Sequence, residues 1–142
     1  MEIIFKILPT LLLTGTLLAF TTDDTPVKGK YRWDFEIPGS GTQSSVHEFA
    51  DGYILYTMKG AAYTAEYRMD IVKHEKNRYV LKGAEGGPKS GRYFVIYLKD
   101  ISPDTITMYK KELPTLEEAL AFPEPDAGNT ESHGWNVYSR VK

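Results

Sequence analysis

From residue 29 onward the chain alternates between apolar and polar positions. In GKYRWDFEI, residues 29 to 37, Tyr31, Trp33, Phe35 and Ile37 share one side of an extended chain, and Arg32, Asp34 and Glu36 share the other, because successive strand side chains point to opposite faces. This predicts a strand from about Lys30 to Ile37, stopped by PGSGT, where Pro38, Gly39 and Gly41 oppose continuation. QSSVHEFA predicts a short second strand in which Val46 and Phe49 are out of phase. Asp51-Gly52 is a tight-turn signal, and YILYTMK after it is rich in aromatic and branched residues. The clearest strand is AAYTAEYRMDIVKH, with Ala61, Tyr63, Ala65, Tyr67, Met69 and Ile71 on one face and Ala62, Thr64, Glu66, Arg68 and Asp70 on the other. A helical period of 3.6 does not produce such a pattern.

EKN then reads as a hairpin connection, RYVLKG as a strand and AEGGPKSG as a flexible loop. RYFVIYLKDI is apolar on both faces from Tyr93 to Leu98, which predicts a strand covered on both sides. SPD turns the chain into TITMYKKE, and WNVYSRV reads as the last strand. One segment reads as a helix, LPTLEEALAFP: Thr115 and Glu118 form a capping box, Pro123 ends the segment, and Leu116, Leu120 and Phe122 are the expected packing residues. Short strands joined mostly by tight turns indicate an antiparallel sandwich or barrel. Because closure removes exposed edges, the expected fold is all-β: an antiparallel up-and-down β-barrel of about eight strands with one short helix before the last strand.

Composition adds a compartment. MEIIFKILPTLLLTGTLLAF carries Lys6 and then an uncharged apolar run from Ile7 to Phe20. That run, roughly 14 residues, is shorter than the about 20 needed for a membrane helix and has the layout of a secretory leader. The expectation is a cleaved signal peptide over residues 1–21, a single domain over 22–142, and a secreted or periplasmic protein whose membrane contact is limited to the leader. Cysteine is absent from the 142 residues, which removes a lipidation site, disulfides and thiolate chemistry. A formal net charge of -2 gives no basic surface for nucleic acid. Aromatic residues make up 13% of the chain, and the ten tyrosines suit a half-wet cavity as well as a core.

Gly29, the aromatic strand after it with Trp33, and Arg140 in the last strand carry a resemblance to the lipocalin-like barrels of the calycin group. That family opens on Gly-x-Trp and packs an arginine of the final strand over the tryptophan ring. Here Tyr31 occupies the tryptophan position, Trp33 follows two residues later, and the family's long helix after the barrel is missing. The resemblance implies a cup holding a small apolar ligand without catalysis, with Arg140 as a lid on Trp33.

The candidate chemistry is sparse. His47, His74 and His133 are each isolated, without the converging spacing of a metal site, and read as solvated surface residues. Asp34, Glu36, Glu66 and Asp70 lie on outward faces, which removes an inward acid pair. No nucleophile elbow is present, and the lysine of GAEGGPKSG lacks phosphate-loop spacing. The reading is therefore a non-enzymatic binding protein for a small apolar or amphipathic molecule, with no cofactor or metal, whose wall comprises Trp33, Phe35, Tyr63, Tyr67, Tyr93 and Tyr97. The alternative is a protein-interaction module with a filled core, acting as an inhibitor or envelope accessory factor through loops at Gly83–Gly91 and Pro123–Gly134.

Overall fold

The computed structural model describes residues 27–128 and 134–142. The expected leader and His133 lie outside them. Eight antiparallel strands close into a barrel in sequential order: β1 (Gly29–Ile37), β2 (Gly41–Phe49), β3 (Tyr53–Lys59), β4 (Thr64–Glu75), β5 (Arg78–Gly83), β6 (Tyr93–Lys99), β7 (Thr105–Leu113) and β8 (Asn136–Arg140). A helix, α1 (Leu116–Ala121), lies between β7 and β8. Closure is narrow: β8 meets β1 through the pairs Tyr31–Arg140 and Arg32–Ser139. The fold expected from alternation is the fold observed, though β4 begins at Thr64, leaving Ala61 to Tyr63 in the preceding connection.

One end of the barrel is solid. Tyr31, Phe49, Ile54, Tyr79, Leu81, Ile96, Leu98 and Ile106 are buried together there, drawn from the inward positions of six strands. Arg140 seals this end. Its guanidinium lies 5.0 Å from the centre of the Tyr31 ring, donates to the Tyr31 hydroxyl at 2.9 Å, and donates to the carbonyls of Lys28 at 3.1 Å and Pro103 at 3.0 Å. Gly29 makes room for it: at φ +109° it holds a conformation that L side chains rarely adopt, and a Cβ there would stand 2.4 Å from Arg140 Nη1. The expected lid on Trp33 is therefore a lid on Tyr31, because β8 pairs with β1 at Tyr31 and passes Trp33 further along.

A second core lies outside the barrel. Val80, Val95, Tyr97, Tyr109, Leu113 and Ala119 are buried between the sheet and α1, with Tyr93, Leu116, Phe122 and Trp135 packed against them. This explains why β6 is apolar on both faces: Phe94, Ile96 and Leu98 belong to the inner cluster, and Val95 and Tyr97 to the outer one. The capping box forms as expected, with Glu118 N–H donating to Thr115 Oγ1 at 3.1 Å. The packing residue is Ala119, whereas Leu120 is 42% exposed. The helix has only six residues, and one turn of rotation brings Leu116 and Ala119 onto the sheet and turns Leu120 away.

Candidate functional site

In an up-and-down barrel alternate loops gather at one end. The β1–β2, β3–β4 and β5–β6 connections and the described part of the β7–β8 connection therefore leave from the end opposite Arg140. Within it lies a cavity of about 290 Å³, lined among others by Trp33, Ser45, His47, Tyr56, Met58, Tyr67, Phe94, Met108, Lys110 and Tyr138. These are inward positions from β1 to β8, so the alternation that builds the solid end also builds the wall of the cavity.

Aromatic rings run around the wall in sequence. Phe35 stacks on Trp33 at 4.4 Å, Trp33 meets Tyr138 at 5.9 Å, and Tyr138 meets His47 at 5.4 Å. The series continues from His47 to Tyr56 at 4.7 Å, Tyr56 to Tyr67 at 4.9 Å and Tyr67 to Phe94 at 5.6 Å. Rings from within a strand, from adjacent strands and from across the barrel support one another in stacked, tilted or edge-on contacts. Tyr138 and Ser45 share a hydrogen bond of 3.0 Å between their hydroxyls.

Lys110 enters this aromatic wall from β7. Its ammonium nitrogen donates to the Tyr67 hydroxyl at 2.8 Å, lies 3.3 Å from His47 Nε2, and sits 3.6 Å from the centre of the Tyr56 ring. Thus one amine is held by groups from β2, β3 and β4 across the barrel interior. Burial lowers its pKa to about 7; Glu112 opposes that shift and Lys89 adds to it. His47 is 1% exposed, and burial, with the Lys110 charge acting in the same direction, keeps it well below the usual imidazole range. It is a neutral ring at physiological pH. Tyr67 is shifted in the opposite sense: burial pushes its hydroxyl up, so the phenol stays protonated.

At the mouth, Glu112 accepts from Lys89 at 2.9 Å and from Arg92 at 2.7 Å. Burial pushes this carboxyl up, but the bonds from Lys89 and Arg92 outweigh it and hold it below the ordinary range. The β5–β6 loop that supplies both cations was expected to be flexible, yet it is tied by backbone bonds, including Gly83 N–H to the Arg92 carbonyl at 2.8 Å and Arg92 N–H to the Lys89 carbonyl at 3.0 Å. Gly83 permits this fold-back, since a Cβ there would stand 1.8 Å from the Lys89 carbonyl oxygen. Lys89 and Arg92 are thus spent on Glu112, and among the described residues Lys110 forms no ion pair.

The six residues expected as wall divide. Trp33 and Tyr67 line the cavity, and Phe35 stacks behind Trp33. Tyr63 is 51% exposed, because the chain from Gly60 to Tyr63 precedes β4 and does not continue its alternation. Tyr93 and Tyr97 face away from the cavity, where Tyr97 donates to the Phe122 carbonyl beneath α1. Their strand is apolar on both faces, so its pattern alone did not show which face was inner. His47, read as a surface residue, is buried. β2 runs opposite to the usual rule, placing Gln43, Ser45 and His47 inside and Val46 on the outer face. Lys110 was missed by the sequence reading, and the available signal was its parity with Ile106 and Met108 in TITMYKKE. Among the described residues no group of three histidine, cysteine or acidic side chains is placed to hold a metal ion.

The fold and cavity define a class, the closed eight-stranded antiparallel barrel with a solid end and a hollow one. No protein-family model, curated protein or solved structure matches the chain.

Proposed function

We propose that this chain is a non-catalytic, lipocalin-like binding protein of the periplasm or extracellular space, and that its ligand is a small amphipathic molecule held in the hollow end of the barrel. The observation that carries the reading is the cavity itself. At about 290 Å³ it lies at the lower edge of small-molecule sites and combines apolar walls with a few convergent polar groups. Trp33, Met58, Phe94 and Met108 offer apolar contact, while Lys110, Tyr67, His47 and Tyr138 offer polar partners to a ligand head group. The Gly29–Tyr31–Arg140 arrangement supports the lipocalin-like assignment, because it reproduces the family's packing of arginine over the first-strand ring with tyrosine in place of tryptophan.

Fluorescence of Trp33 tests this directly. Trp135, the other tryptophan, packs outside the barrel with its indole N–H on the Asp126 carbonyl, so Trp135→Phe leaves Trp33 as the sole reporter. Titration of that variant with decanol, decanoic acid and cinnamyl alcohol should give saturable emission changes for at least one. No change across the three would refute the binding reading.

A further inference from the structure

We infer that Lys110 captures the carbonyl group of a small apolar aldehyde or ketone as a reversible imine within the cavity. This inference rests on the cavity being a ligand site and goes further by naming the ligand's reactive group.

Three features of the geometry carry it. The Lys110 amine lies in the cavity wall, where a ligand can reach it. The carboxylate nearest along its own strand, Glu112, is paired with Lys89 and Arg92, and among the described residues no carboxylate forms an ion pair with the amine. Finally, Nζ has a protonated phenol 2.8 Å away in Tyr67 and a neutral imidazole 3.3 Å away in His47. An amine becomes a nucleophile when it is desolvated in an apolar pocket, and the displacement of its pKa to about 7 agrees with that surrounding.

The surroundings also select against a carboxylate ligand. Tyr56 turns its ring face toward Nζ at 3.6 Å, and Phe94 stands 5.4 Å away. Aromatic faces carry partial negative charge, which opposes an anion and tolerates a neutral carbonyl.

The reaction balances without an oxidant or reductant. The Nζ lone pair forms a bond to the carbonyl carbon as the C=O π pair moves to oxygen. Tyr67 gives its proton to that oxygen and takes one from nitrogen, producing the carbinolamine. The hydroxyl then leaves with the second nitrogen proton as water, and C=N forms. The reverse sequence with one water releases the carbonyl compound unchanged.

The test uses the full chain with cinnamaldehyde as the probe and sodium cyanoborohydride to trap any imine, followed by peptide mapping. The expected result is one adduct at Lys110, formed at least about tenfold faster than at any surface lysine, because surface amines are almost wholly protonated at pH 7. Trapping at Lys110 should rise through pH 7 and then level off. The groups facing this amine are His47 from β2, Tyr56 from β3, Tyr67 from β4, Glu112 from β7 and Lys89 from the mouth loop. Tyr67→Phe, which keeps the ring and removes the proton relay, should slow trapping by a larger factor than it weakens the binding of cinnamyl alcohol, the unreactive analogue; an unchanged trapping rate would overturn the relay. Adducts spread evenly over surface lysines, or none at Lys110, would overturn the inference. If cinnamyl alcohol still changes Trp33 emission in that case, the binding reading survives alone; if neither compound binds or reacts, both fall.

Discussion

At the scale of single residues, an amine and an imidazole whose charged forms are disfavoured by burial inside the barrel set how stability depends on pH. Lys110 has an ordinary pKa of 10.5 when unfolded and about 7 when folded. Between these values the unfolded chain binds more protons than the folded one, so stability rises with pH. Integrated from pH 7 to pH 9, that one group contributes about 2 kcal/mol. His47 acts in the same direction at lower pH: its folded pKa is depressed, so stability falls as pH drops below its unfolded value near 6.5. Above about pH 10 the sign reverses, because Tyr56, Tyr67 and Tyr138 are held protonated by burial while the unfolded chain loses those protons. Urea denaturation across this range should therefore show a rise from pH 6 to 9 and a decline beyond 10. In Lys110→Met the rise between pH 7 and 9 should disappear, and an unchanged slope in that variant would refute the buried-amine assignment.

At the scale of elements, α1 depends on Arg78 more than on its own sequence. Six residues do not hold a helix in water. Arg78, from β5, donates at 2.9 Å to the Ala119 carbonyl and also to that of Leu120, and gives its Nε–H to Tyr97 at 3.0 Å. It therefore adds a charged donor to the carbonyls at the C-terminal end, where positive charge is favoured. Arg78→Met should cost about 1–2 kcal/mol, and amide exchange should accelerate selectively over residues 116–122. A uniform change across the barrel would contradict this local role. The capping box, by contrast, was legible in Thr115 and Glu118 because it depends on sequence neighbours alone. The strand order and the inward faces of β1 and the middle of β4 were legible for a similar reason: alternation marks a half-buried strand. It failed where a strand is covered on both sides, as at Tyr93 and Tyr97, and where the buried face is the polar one, as at Ser45 and His47 in β2. The cavity chemistry depends on contacts between β7 and β2 to β4, and no local pattern encodes which residues meet across a barrel.

At the scale of the whole molecule, the barrel divides into two halves with different work. Around Tyr31 and Arg140 large side chains fill the interior, and the closed end gives the fold its stability. Around Lys110 the inward positions carry hydroxyls, an amine and aromatic rings in place of close-packed aliphatic groups, and the space between them is the cavity. The outer core under α1 adds burial without filling the interior, leaving the hollow end free for a ligand. The central claim, a ligand site at that end, is tested most directly by residue-resolved amide shifts during titration of the full chain with cinnamyl alcohol. The account predicts saturable shifts clustered at Trp33, Ser45, Tyr67 and Lys110, with Tyr31, Tyr79 and Tyr97 unmoved; shifts confined to the outer face, or no saturable shifts, would contradict it.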